Sequence, residues 1–228
     1  MHSGAGKLYV VASPLGNLAD FSLRAKETLA KVDFWIVEDT RVSGKLQTHL
    51  GIHKPMQILN EHTLKDRLVG YVQMFAEGKT AAMLTDAGAP GISDPGSMLV
   101  ELCHLEGIEV DAVPGPSAVT TALMLSGFFA QRFCFLGFLP RKAGAIREEL
   151  LPFQDSTMTL VFFESPYRIL KLLAVIHEVL GERRYAICRE MTKLYQQVYR
   201  GLLPLIPSEK EVPLKGEFTL VVEGKRRK

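Results

Sequence analysis

Three clusters of charged residues follow directly after short apolar runs, and they are the residues best placed to carry out chemistry. They are Glu38-Asp39-Thr40-Arg41, Glu164-Ser165-Pro166-Tyr167-Arg168 and Arg189-Glu190-Met191-Thr192-Lys193. Each combines a carboxylate, which accepts hydrogen bonds, with a guanidinium, which holds anionic oxygens. One such cluster is equally typical of a solvated loop that caps a helix. Three of them favour a polar cleft between two domains.

Three loops rich in Gly, Pro and small residues also follow apolar runs. They cover residues 13–18, 85–96 and 113–118. Glycine lets a ligand approach the backbone closely, and ligands of open α/β sheets bind outside the carboxyl ends of the strands. Ordinary turns use the same residue types, but three such loops favour a shared ligand site.

The elements that must position these loops alternate in the first half of the chain. Apolar runs predict strands at 8–12, 34–37, 56–59, 80–84 and 108–113. Helical spacing predicts helices at 22–31, 43–50, 63–77 and 97–106. This alternation predicts a mostly parallel five-stranded sheet.

The second half has a different pattern. Helices are predicted at 117–125 and 167–180, and strands at 133–138, 158–163, 185–189, 196–199 and 218–222. The link between the strands at 185–189 and 196–199 is short, so these two should pair antiparallel in a mixed sheet. The sequence therefore predicts two α/β domains, residues 1–116 and 117–228.

Composition restricts the class of protein. The 228 residues are 47% hydrophobic and 23% charged, with a net charge of +2, which favours a globular domain over disorder. No apolar run approaches the ~20 residues of a membrane span, and no signal peptide is visible. We therefore expect a soluble cytoplasmic protein without a membrane contact. Three scattered cysteines are too few for a disulfide framework.

Two weaker patterns are similar to metal-binding and nucleotide-binding motifs. His49 and His53 have i, i+4 spacing, with His62 as a third ligand, but Gly51 interrupts the helix between the first two. Residues 3–7 faintly resemble a phosphate loop, but a strand follows them rather than precedes them. We expect neither a metal site nor a nucleotide site.

Seven motifs together give the chain a family resemblance that covers about Lys7 to Gly224. They are the runs 14–20, 38–41, 86–90 continuing into 93–96, 114–118, 163–165, 189–193 and 216–218. In this order and spacing they resemble the 16S ribosomal RNA cytidine 2′-O-methyltransferases, which have the tetrapyrrole methylase fold. The resemblance implies a homodimer of two-domain chains, with S-adenosylmethionine bound in the cleft between the domains.

The resemblance also implies which residues contact S-adenosylmethionine. In the first loops these are Leu15, Gly16, Asp86, Ala87, Gly88, Ala89, Ile92, Ser117 and Ala118. In the second domain the adenine side would meet the backbone near Glu164, Met191, Phe218 and Thr219.

Two departures from the family pattern are visible. Gly91 stands where a larger apolar residue is expected, which loosens that wall of the loop. Many members continue into a helical extension after the last strand, whereas this sequence stops at Lys228. If the extension helps to grip RNA or the small subunit, this protein would do without it or use its basic tail.

Methyl transfer to a ribose hydroxyl would use a proton acceptor on the RNA side of the site, and needs no metal. The candidates are Glu38, Asp39, Glu190 and Lys193, and the sequence does not choose among them. Arg41, Arg168 and Arg189 can hold phosphate or orient a carboxylate. We expect Arg168, Arg189 and Lys193 to contact RNA, either naked 16S rRNA or the small ribosomal subunit.

Two other functions remain open. A methyltransferase of the same fold could act on a tetrapyrrole or a modified histidine, although the clusters at 38–41 and 189–193 argue for the RNA-modifying branch. A non-catalytic RNA-binding assembly protein would keep the fold without needing the cofactor, so binding of S-adenosylmethionine separates it from an enzyme.

Overall fold

Five parallel strands form the sheet of the first of two units into which the chain divides. The computed structural model describes residues 6–60, 65–94 and 96–226. The two units are Met1–Ser117 and Ala118–Lys228, so the division lies one residue after the predicted boundary.

The N-terminal unit alternates strands and helices in sequence. They are β1 (Lys7–Val11), α1 (Leu23–Lys31), β2 (Phe34–Val37), α2 (Thr40–Leu50), β3 (Met56–Ile58), α3 (Lys65–Ala76), β4 (Thr80–Met83), α4 (Ser97–Leu105) and β5 (Glu109–Val113). The strand order is β3-β2-β4-β1-β5, and every pair is parallel. The predicted parallel sheet is confirmed.

Successive residues of the buried strands point to opposite faces of this sheet, so both faces need a cover. Phe34, Ile36 and Met83 pack with residues of α3 and α4. Trp35 and Val37 pack on the other face with residues of α1 and α2. The sheet is therefore the middle layer of the unit.

Helix α2 begins earlier than the sequence pattern predicted. Its N-cap is Asp39, whose side chain accepts a hydrogen bond from the Arg41 backbone N–H, so Thr40 and Arg41 belong to the helix. The predicted start at Ser43 was wrong because the residues before it carry no apolar period. The helix ends at Leu50, and its C-cap Gly51 has the left-handed conformation that favours glycine.

The C-terminal unit is built around a mixed sheet. Its elements are α5 (Ala118–Ser126), β6 (Phe133–Phe138), α6 (Ala143–Leu150), β7 (Thr159–Glu164), α7 (Ile169–Leu180), β8 (Arg184–Arg189), β9 (Gln197–Leu202) and β10 (Phe218–Val222). The strand order is β6-β7-β10-β8-β9. Strands β6 and β7 are parallel, and the other pairs, including β8 with β9, are antiparallel. The predicted mixed sheet is confirmed.

Helix α6 was not predicted from the sequence. Only Ile146 and Leu150 form its buried face, which is too short an apolar stripe to show a period. It packs with α7 on one face of the sheet, beside Phe162 and Ile187. Helix α5 covers the opposite face, where Val161 and Ala186 are buried.

Candidate functional site

The three glycine-rich loops leave neighbouring strands of the N-terminal sheet at the same edge. Strand β1 lies between β4 and β5, and all three run parallel. The loop after β1 carries Leu15 and Gly16, and the loop after β4 carries residues 86–92. The loop after β5 ends at Ser117. The structure therefore brings these sequence-predicted residues of the N-terminal unit to one edge of its sheet.

Two backbone hydrogen bonds join the loops after β1 and β4. The Ser13 N–H donates to the Gly88 carbonyl oxygen at 2.7 Å, and the Gly88 N–H donates to the Ser13 carbonyl oxygen at 3.1 Å. Gly88 has a φ of 81°, and a Cβ added there would lie 3.3 Å from Leu15 Cδ2. A side chain at this position would crowd the other loop, so the glycine keeps the junction narrow.

An open apolar groove of about 730 Å³ lies beside the loop after β4. Its wall includes Val10, Met83 and Val110 from the sheet and Pro90 and Gly91 from the loop. Small-molecule sites have volumes of roughly 300–1,000 Å³. Helix α4 forms much of the remaining wall through Ser97, Val100, Glu101, His104 and Leu105. The groove thus runs along α4, and none of the cofactor residues predicted from the sequence lines it.

Glu38 and Asp39 follow β2, which neighbours β4, but they have different surroundings. The Asp86 backbone N–H lies 3.5 Å from Glu38 Oε2, so Glu38 faces the loop after β4. Asp39 accepts hydrogen bonds from the Arg41 backbone N–H at 2.8 Å and from Arg41 Nε at 3.0 Å. The hydrogen bonds from Arg41 lower the pKa of Asp39 to about 2. Asp39 therefore stays ionised as a helix cap.

Asp94 is a candidate that sequence reasoning missed. Burial raises its pKa to about 6, the negative charges of Glu38 and Asp86 add to the rise, and a hydrogen bond with the Thr85 side chain opposes it. Burial also raises the pKa of Asp86. The only sequence signal for Asp94 was its place in the motif 93–96. A carboxyl that titrates near neutral pH can exchange protons under physiological conditions.

We expect replacement of Asp94 by asparagine to stabilise the protein near pH 7 by about 1–2 kcal/mol, and by much less near pH 4.5. An unfolded aspartate ionises near pH 4, whereas the folded protein resists ionisation of Asp94 until about pH 6. The folded wild type therefore loses stability relative to the variant as pH rises through this window. Urea unfolding at both pH values measures the difference.

Asp33 supplies a control of opposite sign. Hydrogen bonds from the Thr80 backbone N–H and side chain lower the pKa of Asp33, so its contribution is present above the unfolded pKa and lost as pH falls. The Asp33→Asn variant should be less stable than wild type near neutral pH. A pH-independent effect of Asp94→Asn would contradict the assignment.

The C-terminal unit brings a second set of predicted residues to one row of its sheet. Phe218, the first residue of β10, pairs with Glu164 of β7 on one side and with Arg189 of β8 on the other. Met191, Phe218 and Thr219 are buried. The sequence-predicted residues Glu164, Met191, Phe218 and Thr219 therefore lie together, while Ala118 begins α5.

Glu164 and Arg168 hold each other in place. Glu164 is buried, its Oε1 accepts a hydrogen bond from the Ser165 N–H at 2.6 Å, and its Oε2 lies 3.2 Å from Arg168 Nη2. Burial raises the pKa of Glu164. Arg168 Nη2 also donates to the carbonyl oxygens of Leu139 and Pro140. This guanidinium is largely committed to the fold of its own unit.

Glu190 and Lys193 form a network with the segment before β10. Glu190 Oε1 accepts hydrogen bonds from the Glu217 N–H at 2.9 Å and from Lys193 Nζ at 3.0 Å. Lys193 Nζ also lies 3.0 Å from Glu217 Oε2. Arg189 Nε donates to the Lys215 carbonyl oxygen at 2.6 Å. Three positions of the cluster at 189–193 are thus tied to residues 215–217.

The charges of this network are fixed by those contacts. Burial acts to raise the pKa of Glu190, but hydrogen bonds from Glu217 and Lys193 outweigh it and the net pKa is lowered. Burial acts to lower the pKa of Lys193, but its hydrogen bonds to Glu217 and Glu190 raise the net value. Lys193 therefore stays protonated and cannot take a proton, whereas Glu190 is ionised but is a weak proton acceptor because its pKa is lowered.

Backbone strain marks the same segment. Glu190 has a φ of 49° and Thr192, a β-branched residue, has a φ of 66°. Gly216 has a φ of 97°, and a Cβ added there would lie 2.5 Å from Glu190 Cδ. Strained residues persist where their surroundings hold them firmly, which is common at functional sites.

The described ranges contain no group of three or more His, Cys, Asp or Glu side chains placed to hold a metal ion. Because α2 ends at Leu50, His53 lies beyond the helix that carries His49. His62 and residues 3–5 of the phosphate-loop pattern lie outside the described residues. None of the helices in the described part of the chain is long and apolar enough to cross a membrane.

The chain matches a known protein family over most of its length. The family described as tetrapyrrole (corrin/porphyrin) methylases matches residues 7–206. Solved structures of the same fold include the methyltransferase CobJ, with a TM-score of 0.71 and 16% identity over 99% of this chain and 97% of the other. Diphthine synthase has a TM-score of 0.76 and 15% identity, over 97% of this chain and 90% of the other. At this identity the two structures show the fold alone.

Curated relatives are much closer in sequence. A protein of Thermotoga maritima named ribosomal RNA small subunit methyltransferase I is 48% identical over 96% of this chain and 99% of its own length. Proteins of the same name from Haemophilus influenzae and Escherichia coli O157:H7 are 43% and 41% identical over 96% of this chain, and over 79% and 78% of their own lengths. This chain is therefore a methyltransferase of the tetrapyrrole methylase family, and within it belongs with the proteins called ribosomal RNA small subunit methyltransferase I.

Proposed function

We propose that this protein transfers a methyl group from S-adenosylmethionine to the ribose 2′-hydroxyl of a cytidine in the 16S rRNA of the small ribosomal subunit. The observation that carries the proposal is the 48% identity, over 96% of the chain, to a relative whose name specifies small-subunit rRNA methylation. The proposal includes a cytoplasmic location and a homodimer, for which light scattering is the direct measurement.

The N-terminal loops fit a cofactor that needs close backbone contact. A Cβ added at Gly88 would lie only 3.3 Å from Leu15 Cδ2. The main-chain groups of Gly16 and of residues 86–89 line the same edge of the sheet. We assign Leu15, Gly16, residues 86–89, Ile92, Ser117 and Ala118 to this contact. S-adenosylmethionine, when bound, supplies an electrophilic methyl group on a sulfonium.

The main chain of the C-terminal unit supplies the other assigned residues. Phe218 of β10 pairs with Glu164 of β7, Thr219 is the next residue of β10, and Met191 follows β8 by two residues. Because these side chains are buried, we infer that the contact is made by their backbone groups. We assign these four residues to the adenine side. Positioning of reactants by such fixed walls supplies a large part of catalysis in well-oriented systems.

The acceptor hydroxyl needs a proton acceptor, and the contacts narrow the choice among the carboxylates. Asp39 caps a helix with a pKa of about 2, and Glu190 is held by Lys193 and the Glu217 N–H. Glu38 and Asp94 lack such commitments to a cation among the ion pairs of the described residues. We therefore propose Asp94 as the proton acceptor. We propose that the negative charge of Glu38 helps to raise the pKa of Asp94 to about 6.

Arginines and Lys193 would hold RNA phosphates beside the acceptor. The Arg41 side chain is 87% exposed and can turn towards a ligand. Arg168 and Arg189 donate to main-chain carbonyl oxygens, so they offer only their remaining N–H groups. Lys193 keeps its positive charge but is paired with the two carboxylates of Glu190 and Glu217, so it would reach a phosphate only by exchanging one of these ion pairs.

Transfer of labelled methyl from S-adenosylmethionine tests the proposal directly. The acceptors are small ribosomal subunits and naked 16S rRNA, both from cells that lack the endogenous modification, followed by nucleoside analysis. We expect label in 2′-O-methylcytidine. Label in a base would contradict the ribose assignment. Cofactor binding without transfer to either acceptor would contradict ribosomal RNA as the substrate.

A further inference from the structure

A row of arginines lies at the end of the C-terminal sheet opposite to the candidate site. Arg184 begins β8, whereas Arg189 ends it beside Phe218. Arg200 lies in β9, opposite Ala186. Five steps along a strand cover about 17 Å, so Arg184 is well separated from the end of β8 beside Phe218.

Aromatic side chains are interleaved with these arginines. The guanidinium carbons of Arg184 and Arg200 lie 5.0 and 5.1 Å from the centre of the Phe128 ring. The next residue, Phe129, is 56% exposed. Cation–π contacts hold both guanidinium groups at the surface in defined positions.

The segment that contains these phenylalanines runs along the sheet edge to a further arginine. The Thr159 side chain donates to the Phe129 carbonyl oxygen at 2.5 Å, and the Thr159 N–H donates to the Arg132 carbonyl oxygen at 3.2 Å. Arg132 is exposed and directly precedes β6. The row therefore reaches from β9 to β6, which is about 19 Å at the usual strand spacing.

The positive charge of this row is only partly neutralised. Glu223 pairs with both Arg184 and Arg226. Among the residues that the structure describes, no acidic side chain forms an ion pair with Arg132 or Arg200. We call Arg132, Arg184, Arg200 and Arg226 the arginine cluster. With Glu223 as its one paired carboxylate, it keeps an excess of positive charge.

We propose that the arginine cluster binds the phosphate backbone of RNA as a second contact surface, at the end of the C-terminal sheet opposite to Glu164, Met191 and Phe218. The inference rests on the proposed function and specifies how the RNA substrate is gripped. The planar guanidinium matches phosphate oxygens in a bidentate geometry. The exposed Phe129 ring can stack on an unpaired base. The row is long enough for several successive phosphates.

Binding of RNA by the Arg132→Ala/Arg200→Ala double variant tests the cluster. The probe is a short fluorescein-labelled single-stranded RNA of mixed sequence, titrated at several salt concentrations. We expect the plot of log affinity against log salt to flatten by about 0.7 for each lost contact, and affinity near 0.1 M salt to fall about five- to twentyfold. The Kd for S-adenosylmethionine should stay unchanged.

Arg147→Ala is the matched control. It removes the same charge from α6, on the opposite face of the same sheet, where Arg147 pairs with the exposed Glu178. We expect it to keep the wild-type salt slope. The charge-conserving Arg132→Lys/Arg200→Lys variant should recover most of the slope lost in the alanine variant, which also guards against misfolding of the latter.

Several results would overturn the proposal. They are a double alanine variant with the wild-type slope and affinity, an equal loss in the Arg147 control, or a changed oligomeric state with unchanged RNA affinity. The last result would identify the cluster as a contact between copies of this chain. Because this assay needs no methyl transfer, failure of the proposed function would be seen separately, as a wild-type protein that binds RNA but does not methylate it.

Discussion

Replacing Gly88 with valine is expected to weaken S-adenosylmethionine binding at least tenfold, which is about 1.4 kcal/mol. Gly88 has a φ of 81°, in a region that a β-branched residue rarely adopts. It is joined by two backbone hydrogen bonds to Ser13, and its added Cβ would press against Leu15. A side chain there would therefore widen the junction of two loops that we assign to the cofactor. Calorimetry with S-adenosylmethionine and its demethylated product measures the loss.

Gly51 provides the matched control for backbone strain. Its φ is 66°, and nothing lies within 4 Å of an added Cβ. It is the C-cap of the eleven-residue helix α2, about 18 Å along the helix axis from Asp39. Gly51→Val should cost stability without changing the Kd. The milder Gly88→Ala variant covers the case in which Gly88→Val does not fold. Wild-type affinity in a folded Gly88→Ala variant would exclude the loop after β4 from the cofactor site.

The sheet of the N-terminal unit could be predicted because its strands are continuous apolar runs. Phe34 to Val37 are all buried, as expected for a parallel strand covered on both faces. The start of α2 could not be predicted in the same way. Asp39 contributes through a hydrogen bond to the Arg41 N–H, which leaves no trace in the pattern of apolar residues.

The site was predictable as far as it depends on strand ends, and less so where distant segments meet. Asp94 interacts with Thr85 across a loop in which Gly88, Gly91 and Ser93 have positive φ values. A positive φ at a non-glycine residue such as Ser93 cannot be predicted from the residue type. The contact of Glu190 with Glu217 spans 27 residues. It exists because β10 inserts between β7 and β8, a strand order that the sequence does not reveal.

The variant Asp94→Asn should lower kcat for methyl transfer about 100-fold, the usual scale for loss of a positioned general base. It should leave the Kd values for S-adenosylmethionine and RNA within about threefold, because the side-chain shape is kept. A base must be deprotonated to act, so wild-type kcat/KM should rise with pH through about 6, the pKa of Asp94. Asp94→Asn should lose that rise. Glu27→Gln, an exposed carboxylate on α1, should retain it.

Glu38→Gln tests the same assignment through its charge. The negative charge of Glu38 is the second cause of the raised pKa of Asp94, after burial. Its removal should therefore shift the inflection of the pH–rate profile to lower pH, while turnover above the inflection falls less than in Asp94→Asn. A pH–rate profile unchanged by Asp94→Asn would exclude Asp94 as the base. If Glu38→Gln alone abolished the inflection, the proton acceptor would be Glu38 itself, since burial of Asp94 would then have no bearing on the rate.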